Sequence, residues 1–280
     1  MSQSAVRATL TDLSGLDPNA DQAVRPPAAP GKQTSMTRMA RAVVPLLALL
    51  LAACAAPGPA RPRPHWAYEP ARAGSAGPHH TVRDSRDGLD AATFALDSGV
   101  TSVTVRVADL GDDLYRVRTP DDARIAPWIE RDGADLRLLT EGTGQPGPAA
   151  VEVTLHRAVR WHLRLGGGAE DERIDLRGGD VSGVEFVAGV GRIELTLPAP
   201  RGTVPVRMTG GAGDFQVRLV DSAPVRVRVG GGAGSVVVDG AARTGIPGNT
   251  VIEGADWSTA TDRYDVDLAA GVSRFVLDRG

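Results

Sequence analysis

The sequence has few aromatic residues and a single cysteine. Aromatic residues make up only 4% of the 280 positions, so valine, leucine, isoleucine and alanine must supply most of any hydrophobic core. The lone cysteine, Cys54, excludes an internal disulfide, a CxxC redox pair and a zinc site built from several cysteines. The fold must therefore be stabilised by packing alone.

The chain also lacks an excess of charge of either sign. It has 31 basic and 34 acidic residues and a formal net charge of −3, and Lys32 is its one lysine. Nucleic-acid-binding domains usually carry a basic surface. We therefore expect no nucleic-acid partner.

Residues 36–53 show the order of features found in a bacterial lipoprotein signal. A short segment with two arginines comes first, and an almost unbroken apolar run follows over 42–51. This run has the length of a signal-peptide core and is too short to span a bilayer of about 30 Å. It leads into four residues that closely resemble the bacterial lipobox, namely Leu51, Ala52, Ala53 and Cys54. The resemblance implies cleavage before the cysteine and its modification by diacylglyceryl and N-acyl chains, palmitate among them.

The alternative for this segment is a short buried helix that ends in an ordinary core cysteine. The order of positive residues, apolar run, small residues and cysteine favours the signal. We therefore expect a protein held on the extracytoplasmic face of the cell membrane by a lipid on Cys54, because several acyl chains together form a durable anchor.

The segments on either side of the signal differ in composition. Residues 1–35 fit no signal pattern and are interpreted as an extension from an upstream start, with Met36 or Met39 as the true start; a genuine cytoplasmic extension is the alternative. Residues 54–81 are rich in Pro, Ala and Gly, which favours extended polyproline conformations. We interpret 54–81 as a stalk that tethers the folded part, and the histidine pair 79–80 near its end as solvated linker residues.

Four glycine-rich segments recur in the second half of the chain at spacings of 21 or 22 residues. They occupy 167–170, 188–191, 210–213 and 231–234. A degenerate fifth copy, 270–273, follows an insertion that contains Trp257. A fixed period of this size is typical of stacked structural units.

Apolar residues alternate with polar ones on both sides of each glycine-rich segment. In all four copies they stand five and three positions before its second residue and six positions after it. This period of two predicts strand, turn and strand with one face buried, and the corner glycines are expected to supply a positive φ. The twelve apolar residues are Leu163, Leu165, Ile174, Val184, Phe186, Leu195, Val206, Met208, Val217, Val227, Val229 and Val238.

Two all-β architectures fit this pattern. One is a parallel solenoid of the right-handed, single-stranded β-helix type; the other is an antiparallel meander or β-sandwich. The in-register columns of apolar residues favour the solenoid, because a coil places equivalent positions above each other. Arg164, Glu185, Arg207 and Arg228 would then form an outer column, with Arg207 beside Arg228.

The preceding region, 82–156, reads as further strands, so we expect one all-β domain over 82–280. Thr101 to Val107 is the clearest alternating stretch. No segment of useful length shows helical periodicity, although 120–133 has room for one helical turn. Trp128 lies in that segment and is expected to cap the core.

The Gly-Gly-Ala-Gly corners and their flanking Val-x-Val strands, over about 160–280, resemble two related bacterial groups. One is an adhesin-like domain with single-stranded right-handed β-helix character. The other is the C-terminal domain of the cell-wall-active-antibiotic-response, or toast-rack, proteins. Residues 99–103 are similar to the strands that open such domains. The resemblance implies a scaffold or sensor-associated role at the cell envelope, with no catalytic residue to transfer.

The glycine-rich corners do not complete a known binding loop. The third copy is followed by Asp214 and is similar to the calcium-binding repeat Gly-Gly-x-Gly-x-Asp, but the acid arrives one residue early. Calcium needs six or more oxygen ligands, which one such Asp cannot supply. No Lys-Ser or Lys-Thr follows the glycines, so a phosphate-binding loop is excluded as well. We expect no metal and no cofactor.

Adjacent acidic residues provide the best enzyme hypothesis. They stand at 112–113, 121–122 and 171–172, and glycoside-cleaving enzymes use pairs of carboxylates. Adjacent carboxylates on a loop usually face water, however, and His156 and His162 are interpreted as ordinary strand residues. We therefore expect no catalytic site and a binding or scaffolding role, with an envelope polymer or a membrane signalling protein as partner. A carbohydrate-active enzyme is the alternative.

Overall fold

Alternating apolar and polar residues form β-strands throughout residues 79–280, the part of the chain that the computed structural model describes. This part contains nineteen strands and no helix. It accordingly has no helix long and apolar enough to cross a membrane. The helical turn expected within 120–133 is wrong, because the strand Ile125–Asp132 occupies that segment.

Several of the expected segments lie outside the described residues. They are the extension 1–35, the signal 36–53 with its lipobox, the anchor residue Cys54 and all but the end of the stalk 54–81. These stay predictions from the sequence.

The strands are short, between four and eight residues each. In chain order they are β1 Thr81–Ser85, β2 Ala91–Leu96, β3 Ser102–Ala108, β4 Asp113–Arg118, β5 Ile125–Asp132, β6 Asp135–Gly142, β7 Ala150–His156, β8 Arg160–Leu165, β9 Ala169–Asp175, β10 Asp180–Phe186, β11 Val190–Leu197, β12 Thr203–Met208, β13 Ala212–Leu219, β14 Val225–Val229, β15 Ala233–Val238, β16 Ala241–Ile246, β17 Thr250–Glu253, β18 Arg263–Leu268 and β19 Val272–Arg279.

Parallel pairing organises most of these strands into seven coils. In chain order the coils are β2–β3, β6–β7, β8–β9, β10–β11, β12–β13, β14–β15 and β18–β19. The first strand of each coil belongs to a 9-stranded sheet, here sheet B, and the second to a 10-stranded sheet, here sheet A. Equivalent residues stand side by side, as Leu195 does between Ile174 and Val217. The all-β solenoid is therefore confirmed, and the parallel register excludes the antiparallel meander.

The coils do not stack in the order of the chain. Both sheets give the spatial order second, first, third, fourth, fifth, seventh, sixth. The seventh coil pairs with the fifth on one side and with the sixth on the other, in parallel in both sheets. The sixth coil therefore reaches the rest of the stack only through the seventh.

Antiparallel strands cover both ends of the stack. Beyond the second coil, β4 and β1 extend sheet A and β5 extends sheet B. Beyond the sixth coil, β16 and β17 do the same. A proline, Pro127, lies within the edge strand β5, and proline at an edge blocks further strand pairing.

The core lies between the two sheets, where the predicted apolar faces meet. Eleven of the twelve apolar residues predicted from the repeat are at most 2% exposed, and Val238 is half-buried and packs against the same core. The rings of Phe186, Phe215 and Phe275 stack edge to face across it, with centroids 5.2 and 5.5 Å apart.

The corner glycines are required by the close approach of neighbouring coils and not by the expected positive φ. In the four glycine-rich corners only Gly232 has a positive φ, of 84°. A Cβ at Gly167 would collide with the carbonyl oxygen of Ser98, and one at Gly210 with that of Ala188. Glycine at these positions lets the backbones of adjacent coils touch.

Candidate binding surface

Charged side chains form a row across the outer face of sheet B. In register the row runs Arg164, Glu185, Arg207, Asp267 and Arg228. The expected contact between Arg207 and Arg228 is wrong, because the seventh coil inserts Asp267 between them. The Arg207 guanidinium lies 3.7 Å from the Asp267 carboxylate. The signs of the five charges therefore alternate.

Ion pairs continue this row towards the edge strand β5. Asp97 lies 3.0 Å from both Arg164 and Arg137, and Arg137 lies 3.0 Å from Glu130 on β5. We refer to these residues and the five above as the sheet B charge row. The row crosses the sheet from β5 to the sixth coil.

An exposed tryptophan flanks the row at the β5 edge. Trp128 is 42% exposed and lies opposite Leu139 on the outer face, two residues before Glu130. The expectation that Trp128 caps the core is wrong, because the alternation of β5 turns its neighbour Ile129 inward instead, where it packs against the core.

The other tryptophans of the described residues are buried. Trp161 is fully buried, and its indole N–H donates to the carbonyl of His156 at 2.9 Å. Trp257 lies between the guanidinium groups of Arg226 and Arg263, at 3.6 and 4.2 Å from its ring. Trp128 is therefore the one tryptophan within 79–280 whose ring is open to a ligand.

Ion pairs between β14 and β18 join the sixth and seventh coils. Asp265, on the seventh coil, accepts hydrogen bonds from Arg226 at 2.8 Å and Arg228 at 3.2 Å on the sixth. Its side chain is only 15% exposed, and the pairing with Asp265 raises the pKa of Arg226. Charge pairs of this kind are stronger than exposed ones.

The outer face of sheet A also carries alternating charges. Asp171, Arg192, Asp214 and Arg274 are neighbours in register, and Arg192 lies 3.4 Å from Asp171. Asp214, considered above for calcium, thus stands between two arginines. No group of three metal-ligating side chains occurs within 79–280.

The adjacent acids considered for glycoside cleavage lie on separate elements. Asp113 begins β4 and pairs with Arg116 at 3.0 Å, and residues 121–122 follow β4 in a turn. On β9, Asp171 is exposed, but Glu172 is only 1% exposed. The expectation that both acids of the 171–172 pair face water is therefore wrong.

Glu172 points into the core. Within residues 79–280, neither of its carboxylate oxygens has a hydrogen-bond partner. Burial raises the pKa of Glu172 to about 8, since the charged form is disfavoured away from water.

The histidines occupy structural positions. His156 is buried; its Nε2 lies 3.1 Å from the carbonyl oxygen of Gly111, and its Nδ1 accepts from the N–H of Ala158 at 3.1 Å. His162 is half-buried on β8, 3.7 Å from Glu185. His80 differs from the expected linker residue, because its Nδ1 lies 2.8 Å from the Thr119 hydroxyl.

Two cavities lie near the second-coil end of the stack. One, of about 460 Å³, is lined by 85–88, Gly111 and Asp112. The other, of about 300 Å³, is lined by 118–121 and Glu152. Most of the residues that line the two cavities are polar or glycine, and no aromatic side chain lines either of them, whereas small-molecule pockets are usually lined by hydrophobic and aromatic side chains.

Comparison with known proteins relates this chain to others by structure. No protein-family model matches the chain, and no curated protein matches its sequence. A solved candidate cell adhesion protein from Clostridium sporogenes is similar, with a TM-score of 0.56 and 18% identity over 71% of this chain and 98% of that chain. The two share a fold. A candidate adhesin from Bacteroides fragilis has a TM-score of 0.26 and 8% identity over 71% and 97%.

Sequence reasoning missed two features for which the sequence carried a signal. Four positions after the second residue of each corner stand Ile193, Phe215, Val236 and, in the degenerate copy, Phe275, all apolar. The third coil has Glu172 there, so alignment of the copies identifies it as inward-facing. The second feature is the match of Arg226 and Arg228 with Asp265 and Asp267, which marks the sixth and seventh coils as neighbours.

Proposed function

We propose that this protein is an extracytoplasmic lipoprotein, anchored through a lipid on Cys54, that presents its solenoid to a polymer of the cell envelope. The lipobox at Leu51 to Cys54 and the Pro-rich stretch after it support the anchor and the stalk. The fold shared with a candidate cell adhesion protein supports a binding or scaffolding role. A membrane signalling protein is the other partner that the resemblance to toast-rack proteins favours.

The single observation that carries this proposal is Trp128 beside the sheet B charge row. An exposed indole can stack on the apolar face of a sugar ring. Glu130, two residues along the strand, and its partner Arg137 present acceptors and donors for hydroxyl or amide groups. This combination of a flat aromatic face and polar groups favours a glycan over a purely apolar partner.

The geometry of the row suits an extended ligand. Strands of a sheet stand about 4.8 Å apart, so the alternating charges repeat about every 10 Å across the coils. A polymer that crosses the strands would meet the same pattern repeatedly, and many weak contacts would add to a useful affinity.

Lipid anchoring is tested on the full chain expressed in a bacterium with a lipoprotein pathway. Cys54→Ala should abolish acylation and either release the protein from the membrane fraction or leave it unprocessed. Retention and processing equal to those of the wild type would contradict the anchor.

Polymer binding is tested by co-sedimentation of the detergent-solubilised full chain with purified cell wall. Trp128→Ala should weaken binding by about tenfold, since loss of an aromatic contact commonly removes more than 1 kcal/mol. Val220→Ala is the matched control, because Val220 is 40% exposed and directly follows β13 of sheet A, away from the sheet B charge row. Equal binding by both variants, or release of reducing sugar from the wall, would overturn the proposal.

A further inference from the structure

Glu172 occupies a core position in the middle of the stack. In register it lies between Val103 of the first coil and Ile193 of the fourth, and both are at most 2% exposed. Beyond Ile193 the same inward column continues with Phe215 and Phe275. A carboxyl group thus stands where every neighbour in its column is hydrophobic.

No charged group faces Glu172 from the elements packed against it. The inward-facing residues of β3, β8, β9 and β11 around it are hydrophobic, namely Val103, Val105, Trp161, Leu163, Leu165, Ile174, Ile193 and Leu195. The charged residues of these strands are exposed or half-buried on the outer faces, namely Arg106, Arg160, His162, Arg164, Glu170, Asp171, Arg173, Asp175, Arg192 and Glu194. Burial is accordingly the cause of its raised pKa.

The neutral and the ionised forms of the Glu172 carboxyl group differ in the free-energy cost of burial in the core. The neutral acid loses hydrogen bonds to water, which is a moderate penalty, whereas an unpaired carboxylate in the same place is far more unfavourable. Once ionised, Glu172 must gain water or a cation, and the packing between the sheets leaves room for neither unless the coils separate.

We propose that Glu172 makes the third coil a pH-sensitive joint, closed while the carboxyl group is protonated and loosened when it ionises. The ion pairs that cross this joint on the outer face, Arg192 to Asp171 at 3.4 Å and Arg173 to Glu194 at 2.9 Å, keep their geometry only in the closed form. Alkaline conditions therefore loosen the middle of the stack before its ends. The joint does not depend on what the outer faces bind.

The sign of the effect follows from proton binding. The unfolded chain ionises Glu172 near 4.5 and the folded chain near 8. Below both values the group adds no pH dependence to stability. Between them the folded state holds a proton that the unfolded state has lost, so stability falls as pH rises. Above about 8 the full penalty is present.

The test compares the full chain with Glu172→Gln and Glu172→Ile between pH 5 and pH 9 by denaturant unfolding. In the wild type the folding equilibrium constant should fall on the order of a thousandfold over this range because of this group. Glu172→Gln should remove that part of the pH dependence, and Glu172→Ile should remove it and also raise stability at every pH. Glu141→Gln is the control, because Glu141 is an exposed acid on β6, outside the ion pairs that cross the joint, and it should keep the wild-type loss.

Hydrogen exchange locates the loosening. After correction for the intrinsic pH dependence of exchange, amides of β3, β9 and β11 should exchange faster at pH 9 than at pH 6 in the wild type. In Glu172→Gln the corrected exchange rates at pH 6 and pH 9 should be equal. The same pH dependence in wild type and Glu172→Gln would overturn the joint, and so would loosening confined to the ends of the stack.

Discussion

Adjacent glycines at one corner of the solenoid have different surroundings. The ideal Cβ position of Gly210 overlaps the backbone of Ala188 in the fourth coil, whereas that of Gly211 meets only the Gly271 carbonyl oxygen, at an ordinary 3.5 Å. Neither residue has a positive φ. The difference between them is therefore one of contact between coils and not of backbone conformation.

This difference predicts opposite outcomes for the same substitution. Gly210→Ala should lower the free energy of unfolding by about 2 kcal/mol or more, because the coils must separate to admit the methyl group. Gly211→Ala should change it by less than about 1 kcal/mol in either direction, since a glycine replaced without strain also restricts the unfolded chain. Denaturant unfolding of the two variants measures both values, and equal losses would mean that close coil contact is not what requires glycine here.

Coil identity followed from the sequence, but coil order did not. Period-two alternation placed Val206, Val217 and Val227 correctly in the core, because burial of one strand face dictates that pattern. The position of the seventh coil depends instead on pairing between distant segments. An alignment of the repeats shows which residues are equivalent, but it does not show which coils are neighbours. The prediction that Trp128 caps the core was wrong for a related reason. Composition alone does not show which residues of an edge strand face the core and which face outward.

Paired cysteines test the coil order directly. In a Cys54→Ala background, Arg207→Cys with Asp267→Cys joins direct neighbours about 4.8 Å apart, within reach of a disulfide. Arg207→Cys with Arg228→Cys spans two strand spacings, about 10 Å, and is out of reach. Oxidation should crosslink the first pair rapidly and leave the second pair as thiols, as seen by mobility on a non-reducing gel. Preferential crosslinking of the second pair would mean that the coils stack in chain order.

At the scale of the whole molecule, the described residues form a rod of stacked coils with protected ends. Antiparallel strands close the stack at both ends, which limits growth by edge pairing. The two broad outer faces carry alternating charges. Alternation leaves no large field of one sign, so these faces suit a ligand with many spaced polar groups better than a strongly charged polymer.

The proposed anchor and stalk are compatible with the proposed role of the rod. A lipid on Cys54 would hold the chain at the membrane, and the Pro-rich segment 54–81 would let the rod reach the polymer. The folded part would then act through its outer surfaces.

The most direct test maps the site at which the polymer contacts the protein. Hydrogen exchange of the full chain, with and without soluble fragments of purified cell wall, should show slower exchange at β5 and β6, around Trp128 and Glu130. It should show little change at β16, at the opposite end of the stack. Protection confined to the acidic loops at 112–113 and 121–122, or none at all, would contradict the account.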